Sequence, residues 1–482
     1  MFDFRPAAYV IGLLSMALGC TMVFPMAMDI YDGNGEWWVF GLSGLLTALF
    51  GGSIALACAN RSTGGLSIQQ TFLLTTSVWV VLPIFGALPF WFGATDARIV
   101  DGFFEAMSAM TTTGSTVFTG LGELPRGILL WRGMMQWFGG IGIIVVAMVF
   151  LPMLRVGGMQ IFRSEGFETM GKILPKAAEI AKQIGVIYVV LTVVCFACYL
   201  AVGMSGFDAA VHAFTTLSTG GFSTGDASFG AFQGPAEYVA TVFMMLASLP
   251  FVRYVQLIAG SAEPLYRDTQ IRAFLILFAI LVVVLSIYQL IHNHDDLERS
   301  IREGMFNVAS IISGTGFASV DYQAWGDFPM MLFFMMGLVG GCAGSTCCSI
   351  KVFRYELLAK SIVLQIKRLH NPSGVFVLKY NRRSVPDGVI SSVMAFFMLF
   401  LSSLAVLSVA LGMTGLDTVT AISGAATALA NVGPGLGDKL GPSGNFSELN
   451  DIAKWLLAIG MLVGRLELMS VFVLFTANFW RN

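Results

Sequence analysis

Four short segments of the chain share a pattern that strongly restricts how it can fold. The first, DGFFEAMSAMTTTGSTVF at 101–118, has about ten small and apolar residues followed by a Thr-Thr-Gly turn. It is too short to cross a bilayer as a helix, which takes roughly 20 apolar residues. Bare backbone is not tolerated against lipid. A half-helix and turn between two longer apolar runs therefore predicts a re-entrant hairpin, enclosed by protein or beside a water-filled cavity.

The pattern occurs three more times, at TTLSTGGFST, SIISGTGFAS and TALANVGPGLG. Thirteen residues before the last glycine of each turn stand residues of types that cap or complement a helix N-terminus, namely Asp101, Asp208, Glu303 and Thr420. The matched spacing predicts four copies of one hairpin, placed alike. Four such turns can form a ring of backbone carbonyls, the construction that replaces the water shell of a potassium ion in channels.

The composition places the rest of the chain in a membrane. Of 482 residues, 56% are hydrophobic and 12% are charged, whereas soluble domains carry about 25% charged residues. The run from residue 8 to about residue 28 is longer than the h-region of a signal peptide and predicts a retained helix. Cys195 and Cys198 lack the further ligands that zinc needs. We expect no resident metal, no organic cofactor and no nucleic-acid partner.

The order of apolar runs predicts an all-α polytopic membrane protein. Two leading helices are followed by four units of outer helix, pore helix and inner helix around a central pore, which gives ten spanning helices and four half-helices. An internal repeat of this kind takes precedence over other interpretations. The predicted segments are the leading pair at 1–60 and pore units at 61–155, 184–260, 270–365 and 386–482.

The distribution of charge predicts the orientation in the membrane. Three stretches at the junctions of the pore units, 155–182, 267–272 and 351–383, hold fifteen of the 27 Lys and Arg residues, and the positive-inside rule puts them in the cytoplasm, together with both termini. The hairpins then face the other side, where loops carry acidic residues such as Asp96 and Asp226. These carboxylates would concentrate cations, or they are simply solvated loop charges.

Several further runs resemble one family. They are GGCAGST at 340–346, VGRLELMSVF at 463–472, WFGGIGIIV at 137–145, VGGMQIFRSE at 156–165 and VLFTANFW at 473–480. With the four hairpins, they make the chain similar over essentially its whole length to the Trk/Ktr superfamily of potassium uptake proteins, most of all to its TrkH/TrkG branch. The resemblance implies a homodimer in the lipid of the bacterial inner membrane, with one pore per protomer. It also implies a cytoplasmic ring of TrkA-type nucleotide-binding subunits that gates the pore.

The four turns supply the expected filter for the transported potassium ion. The carbonyls of the residues before each glycine would bind the ion, and the glycine would permit the backbone twist that points them inward. The four copies differ and none is a full TVGYG, which predicts weaker discrimination against sodium than in a potassium channel. The filter residues are Thr112, Thr113 and Gly114, Thr219, Gly220 and Gly221, Gly314, Thr315 and Gly316, and Asn431, Val432 and Gly433.

The third inner helix is expected to be broken below this filter. Small and hydroxylated residues would unwind it into a loop across the conduction path, as in the family's intramembrane gate. Close helix packing through small residues is the alternative. The family continues here with more glycines, whereas this chain has Cys347, Cys348 and Ser349, which predicts a stiffer loop. The expected gate residues are Gly340, Gly341, Gly344, Ser345 and Thr346.

Three arginines stand within or near apolar runs. Arg465 lies in the middle of the fourth inner helix, where a charge is costly and faces a cavity or a partner. The family's matching arginine sits beside the gate loop and raises the barrier for potassium. A structural ion pair is the alternative, although Glu467 points to another face. Arg253, after the helix-kinking Pro250, is expected to snorkel towards the cytoplasm, and Arg132 to lie at the outer interface.

Gated potassium uptake through a channel-like pore is thus the predicted function. A proton- or sodium-coupled symporter with alternating access remains the alternative, although such proteins usually have inverted repeats and mid-membrane charges. An intramembrane serine protease would need a Ser/His pair at membrane depth. The one candidate, His212, lies nine residues before Gly221, as Glu105 lies before Gly114. Its place in a pore helix explains it, and no enzymatic activity is expected.

Overall fold

The computed structural model describes residues 3–59, 66–146, 148, 157–162, 173–293, 296–381 and 383–481. Two leading helical spans, Arg5–Tyr31 and Trp37–Ala57, cross at close range. The first consists of the helices Arg5–Thr21 and Val23–Tyr31. A Cβ on Gly12 would lie 2.7 Å from the carbonyl oxygen of Gly51, and one on Gly19 would lie 2.6 Å from that of Gly44. Small residues therefore let the two backbones touch, as is common between helices in membranes.

Four repeats follow, each with an outer helix and a pore helix in the predicted order. The outer helices are Ile68–Gly86 with its extension Leu88–Phe92, Ile173–Ala201, Thr269–His292 and Asp387–Met413. The pore helices are Ile99–Met110, Gly206–Leu217, Leu297–Ser313 and Thr418–Ala430. The predicted all-α polytopic fold is confirmed.

Asp101, Asp208 and Thr420 were expected to lie at the N-termini of their pore helices, and each of these three helices, of the first, second and fourth repeats, begins two residues before that position. The third begins a full turn earlier, because Asp296 caps it by accepting a hydrogen bond from the Glu298 amide. Glu303 therefore lies inside the helix, where it pairs with Arg299 at 2.7 Å. The expectation that Glu303 marks an N-terminus is wrong, since a stronger capping residue stands upstream.

The inner helices are less regular than predicted. The first is continuous over Arg126–Val145, whereas the second bends by 88° between Pro235–Ala247 and Phe251–Ile258. The third stops after Asp327–Gly337 and resumes at Val352–His370, and the fourth, Asp451–Arg465, bends by 103° before Met469–Phe475. Within the described residues, seven helices can cross a membrane, or nine if each bent pair counts as one span. The interrupted third inner helix is not among these nine, so the expected count of ten spans stays a prediction.

The remaining elements are short. Two two-stranded sheets occur: Val339–Gly340 pairs in parallel with Ile350–Lys351, and Lys379–Tyr380 pairs in antiparallel with Arg383–Ser384. The short α-helices are Glu263–Arg267, Gly437–Leu440 and Ala477–Arg481. The 3₁₀ helices are Leu121–Glu123, Met159–Phe162, Ser228–Phe232, Tyr322–Trp325, Phe446–Glu448 and Val473–Phe475.

Buried apolar side chains form two large clusters, one mainly from the leading helices with the first and fourth repeats, the other mainly from the second and third. An ion pair also ties the fourth repeat to the first. Lys454 of the fourth inner helix is buried and contacts Asp101 of the first pore helix at 2.7 Å. Burial alone would raise the pKa of Asp101, but the hydrogen bonds from Arg98 and Lys454 outweigh it and hold this pKa below its usual value.

The pair predicts a pH-dependent loss of stability in Lys454→Met. We expect unfolding in detergent at pH 7 to become easier by about 1–3 kcal/mol, less than for a fully buried pair because Asp101 keeps some contact with water. Because the pKa of Asp101 is lowered in the folded state, its stabilising charge is present above a pH of about 4 and is lost as the pH falls through the folded value.

The measurement is the midpoint temperature of wild type and variant at pH 7 and in acid. The exposed Lys439→Met is the matched control and should follow the wild type. A deficit of Lys454→Met that stays constant into strong acid would contradict this interpretation of the pair.

Candidate functional site

The four glycine turns are neighbours in a closed ring. The position of a Cβ on each glycine shows this, because it would meet the main chain of the next repeat. A Cβ built on Gly114 would lie 2.3 Å from Gly220 O, and one built on Gly221 would lie 1.9 Å from Thr315 O. A Cβ on Gly316 would lie 2.6 Å from Gly433 N, and one on Gly433 would lie 3.3 Å from Thr113 O. The contacts run from the first repeat to the second, third and fourth and back to the first. At Gly221 and Gly114, no side chain fits.

The backbone of the turns repeats as well. The residue two positions before each glycine takes a left-handed conformation, with φ of 52° at Thr112, 51° at Thr219, 77° at Gly314 and 51° at Asn431. A β-branched threonine rarely adopts a positive φ, and such strain persists where the surroundings enforce it, often at functional sites. The glycines themselves have φ of 86° at Gly114, 78° at Gly221 and 80° at Gly316. Gly433 lacks a positive φ, so the expected twist is missing at that position.

Hydrogen bonds fix each turn to its own pore helix. The amides of Thr113, Gly220 and Val432 donate to the carbonyl five residues earlier, over 2.8 to 3.0 Å. The third repeat differs, because Gly314 ends its helix and the Gly316 amide donates to Ser310 at 3.2 Å. Three turns thus share one local structure, and the third reaches the ring by a different one.

Side chains of the turns bond to one another behind the backbone. The hydroxyls of Thr111 and Thr113 lie 2.8 Å apart, and those of Ser313 and Thr315 lie 2.7 Å apart. The Asn431 amide donates to the Thr113 hydroxyl at 3.0 Å, across the boundary between the fourth and first repeats. These hydroxyls and the Asn431 Nδ2 are therefore occupied within the protein, whereas the buried Asn431 Oδ1 has no hydrogen-bond partner.

A cavity of about 280 Å³ is lined by Gly114, Gly221, Gly316 and Gly433 together. All four turns therefore reach one shared space with room for several water molecules, as the re-entrant hairpins require. Asp226 also lines this cavity, and so does Arg132. One expected loop carboxylate is thus placed beside the ring, and an arginine stands near it. Of the other acidic loop residues, Asp295 lies outside the described residues.

The third inner helix is interrupted where the sequence predicted it. Between Gly337 and Val352 the chain forms a loop, which we call the gate loop (338–351), closed at its ends by the small parallel sheet. A Cβ on Gly340 would lie 1.9 Å from Cys348 O, so the two ends of the loop touch at a glycine. An intact helix packed through small residues, the alternative, is not what this segment forms.

The gate loop is held on two sides. On one side it joins the bend of the second inner helix: Cys342 N donates to Ser248 O at 3.0 Å, and Phe251 N donates to Gly344 O at 3.0 Å. The hydroxyl of Thr346 donates to Ala247 O at 3.1 Å. On the other side, Ser349 N donates to the carbonyl at the end of the fourth pore helix at 2.9 Å. The loop thus bridges two repeats, with Gly341 and Ser345 buried inside it.

The cysteines of the gate loop add side-chain contacts. The thiol of Cys347 donates to the Ser248 hydroxyl at 3.0 Å. The thiol of Cys348 lies 3.6 Å from the Thr112 hydroxyl of the first glycine turn and also contacts the Arg465 guanidinium. Cys348 therefore connects the first glycine turn to the arginine.

Arg465 is 3% exposed and lies between the gate loop and the first inner helix. It donates to Thr346 O at 3.4 Å and to Gly139 O at 3.3 Å, and its Nε has no hydrogen-bond partner. Within the described part of the chain it has no carboxylate partner, since Glu467 pairs with Arg354 instead. The alternative of a structural ion pair for Arg465 does not hold there. Carbonyls and a thiol accept its hydrogen bonds, and the Trp79 ring lies 5.5 Å from its guanidinium carbon.

The other two arginines are not where the sequence placed them. Arg132 is 1% exposed and its Nε lies 2.8 Å from Glu105 Oε1, so it is not interfacial. Arg253 is 7% exposed and lies 2.7 Å from Asp268 Oδ2, so it does not snorkel into water. Both expectations were wrong because a carboxylate from another element neutralises each charge, and burial of a paired charge is tolerated.

One functional position was missed by the sequence analysis. Nine residues before the turn glycine, Glu105, His212 and Asn307 each reach the chain just beyond the turn. Glu105 accepts from Val117 N at 2.9 Å, and His212 Nε2 lies 3.1 Å from the Ser223 hydroxyl. Asn307 Nδ2 donates to the Ser319 hydroxyl at 3.1 Å. The repeat offset already equated His212 with Glu105, and extending it to Asn307 would have shown a polar support behind three of the four turns.

Helices packed around a closed ring of glycine turns, with a cavity on the ring and a loop and a buried arginine beside it, define a membrane transport protein rather than an enzyme. Comparison with known proteins agrees. A family model described as "TrkH: Cation transport protein" matches residues 39–482. The chain belongs to this TrkH family.

Its relatives are similar over their full lengths. The chain is 41% identical to the Trk system potassium uptake protein TrkI of Halomonas elongata, covering 99% of this chain and 97% of the relative. It is 37% identical to the Trk system potassium uptake protein TrkH of Escherichia coli K12, over 99% and 100% of the two chains. The crystal structure of the potassium transporter TrkH from Vibrio parahaemolyticus superposes with a TM-score of 0.92 at 33% identity, covering 100% of both chains.

The support behind the first turn predicts a phenotype for Glu105→Gln. The variant keeps the size of the side chain but leaves the buried Arg132 without its counter-charge, and breaking such a pair costs about 3–5 kcal/mol. We expect a lower midpoint of unfolding and weaker discrimination among alkali cations, measured as rubidium uptake into proteoliposomes against competing sodium. Glu448→Gln, an exposed residue of a 3₁₀ helix, is the control. Unchanged discrimination in a folded Glu105→Gln protein would remove Glu105 from the support of the filter.

Proposed function

We propose that this protein takes up potassium across the bacterial inner membrane through a gated, channel-like pore. The observation that carries the proposal is the closed ring of four turns on one shared cavity. The relatives named as Trk system potassium uptake proteins support potassium as the transported ion.

In this proposal the filter consists of main-chain carbonyls, those of Thr112 and Thr113 and of their counterparts in the other three repeats. Carbonyl oxygens replace the water shell of the ion. The turns are held from behind by their own pore helices and by side chains such as Asn431. The third turn and Gly433 depart from the common backbone, so the ring is not four-fold symmetric. Its selectivity against sodium is correspondingly modest.

The gate loop and Arg465 form the barrier below the filter. Arg465 contacts Thr346 and Cys348 of this loop. It follows Gly464 in the chain, and a Cβ built on Gly464 would lie 3.0 Å from Asn431 Oδ1 of the filter. A buried guanidinium this close to the ring repels an entering cation. Movement of the loop, together with the bend of the second inner helix to which it is bonded, opens the path. Flux is then driven by the membrane potential, worth about 2.3 kcal/mol per charge for each 100 mV.

The proposal includes an assembly. The protein works as a homodimer in the lipid bilayer with a TrkA-type nucleotide-binding subunit on its cytoplasmic side. The printed names of the relatives, which assign them to a Trk system, support a multicomponent transporter. Both termini and the basic connecting segments face that subunit.

Coupled symport of potassium with protons or sodium is the second candidate. The buried ion pairs Glu105–Arg132 and Arg354–Glu467 favour it, because charged residues inside a membrane often mark coupling sites. Single-channel recording of the purified protein under bi-ionic conditions separates the two. Unitary currents at channel rates support the pore, and transport at carrier rates with a fixed proton or sodium stoichiometry supports the symporter.

Gly221→Ala tests the filter. Its Cβ would lie 1.9 Å from Thr315 O at a φ of 78°, so the second turn has to move away from the third. We expect rubidium uptake in proteoliposomes to fall at least tenfold, or the preference for rubidium over sodium to be lost. Gly206→Ala, at the start of the same pore helix where a Cβ has open space, is the matched control. Wild-type flux and selectivity in Gly221→Ala would refute the filter.

Arg465→Ala tests the barrier. Unit charges about 8 Å apart at an effective dielectric constant of 20 repel by about 2 kcal/mol. Removing the guanidinium is therefore expected to raise basal rubidium flux by about an order of magnitude without a change in selectivity. Arg368→Ala, exposed on the helix that follows the gate loop, should leave the flux as in wild type. A flux that stays flat or falls in Arg465→Ala means that Arg465 is not the barrier.

A further inference from the structure

A second polar cavity lies away from the ring, at the other end of the second and third repeats. Its volume is about 350 Å³, and it opens between the end of the second inner helix, the short helix Glu263–Arg267 and the start of the third outer helix. Three arginines line it together with a single carboxylate. The lining residues are Arg253, Pro264, Arg267, Asp268, Thr269, Arg272 and Asn381.

The three arginines are held in different ways. Arg253 forms the buried wall: its guanidinium lies 2.7 Å from Asp268 Oδ2 and donates to Gln256 Oε1 at 3.1 Å. Arg267 and Arg272 are exposed at the mouth of the cavity, where Arg267 forms an exposed ion pair with Glu263 of the same short helix. Arg272 donates to Tyr266 O at 2.7 Å, which fixes its side chain beside the cavity.

The charge of this cavity suits an anion. With three guanidinium groups and the Asp268 carboxylate, its lining side chains carry a net charge of +2, and Glu263, which pairs with Arg267 from outside the lining, lowers the local net charge to +1. The N-terminus of the helix Thr269–His292 lies at the same place, and it adds a partial positive charge. A guanidinium group can donate two parallel hydrogen bonds to two oxygens of one phosphate group. Basic pockets between membrane helices on the cytoplasmic side are suited to phospholipid headgroups.

The same residues lead directly to the gate loop. Asp268 Oδ1 accepts from Gln270 N at 3.1 Å, and Gln270 Oε1 accepts from Ala343 N of the loop at 3.0 Å. Thr269 adds a bond from its hydroxyl to Glu356 at 3.0 Å and a bond from its amide to Asn381 at 3.2 Å, on the helix and the hairpin that follow the loop. A ligand that contacts Asp268 would thus be linked to Ala343 of the gate loop through two successive hydrogen bonds, Asp268 to Gln270 and Gln270 to Ala343.

We propose that this cavity binds a phosphate-bearing anion and that its occupancy biases the gate loop through Asp268 and Gln270. The shared chemistry is a phosphate group, supplied by an anionic lipid headgroup or by a soluble phosphate compound. The effect on flux rests on the proposed function. The binding itself does not, and it is measured separately.

The binding experiment uses the purified full-length chain and the double variant Arg267→Gln/Arg272→Gln. Both arginines are exposed, and Arg253 is left in place so that Asp268 keeps its partner. The probes are phosphatidylglycerol in phosphatidylcholine nanodiscs, read by native mass spectrometry, and inorganic phosphate and ATP, read by equilibrium dialysis. We expect wild type and the surface control Arg481→Gln to retain a probe at least tenfold better than the double variant.

Retention of phosphatidylglycerol alone assigns the site to lipid, and retention of phosphate or ATP alone assigns it to a soluble ligand. Equal retention by wild type and double variant for every probe overturns the site.

A second variant tests the coupling. Gln270→Leu removes the acceptor for Ala343 N but leaves the arginines. We expect it to bind the probe as wild type does, while rubidium flux no longer responds to that probe. If its flux still responds as in wild type, the coupling through Gln270 is wrong even though the site stands. If wild type shows no rubidium flux at all, the proposed function fails while the binding result is unaffected.

Discussion

The structure depends on main chain packed against main chain at four glycine turns. At Gly114 and Gly221 the carbonyl oxygen of the next repeat occupies the place of a Cβ, so the turns can approach one another only as bare backbone. Bare backbone at membrane depth must in turn be enclosed by protein or water. The pore helices, the spans around them and the two core clusters meet this requirement by surrounding the turns on all sides except the shared cavity.

Several buried charges follow a second rule, which is that an oppositely charged side chain lies beside each of them. Lys454–Asp101 links two repeats, Arg132–Glu105 fixes a pore helix to its own inner helix, and Arg354–Glu467 joins the helix after the gate loop to the bend of the fourth inner helix. Each pair removes the cost of an isolated charge in a medium of low dielectric constant. Arg465 is different, because among the described residues its hydrogen-bond acceptors are carbonyls and a thiol, and the ring of Trp79 lies 5.5 Å from its guanidinium carbon. Lys351 of the gate loop is also buried, and it donates to the carbonyl of Cys347. A buried cation without a carboxylate partner is costly for stability, and in the proposed function Arg465 serves as the barrier.

Much of the fold could be predicted because it depends on local backbone chemistry. Gly-containing turns at a fixed offset, apolar runs of spanning length and a glycine-rich interruption are all visible in a single sequence, and they predicted the four hairpins and the gate loop. What was missed depends on partners far along the chain. Arg132 looked interfacial because Glu105 lies in another helix, and Arg253 looked solvated because Asp268 belongs to the next repeat. The fourth inner helix bends at Glu467 and Leu468, which both have positive φ. Neither residue is a glycine or proline, so the sequence at the bend did not predict it.

The role of the ring is tested most directly by locating the ion. Crystals of the protein grown in rubidium, with anomalous diffraction data collected at the rubidium edge, would show where a potassium analogue binds. The proposed filter predicts a peak inside the ring, bounded by the main-chain oxygens of Thr113, Gly220, Thr315 and Val432. A protein that transports rubidium but whose only peaks lie away from the four turns, or against side-chain carboxylates, would contradict it.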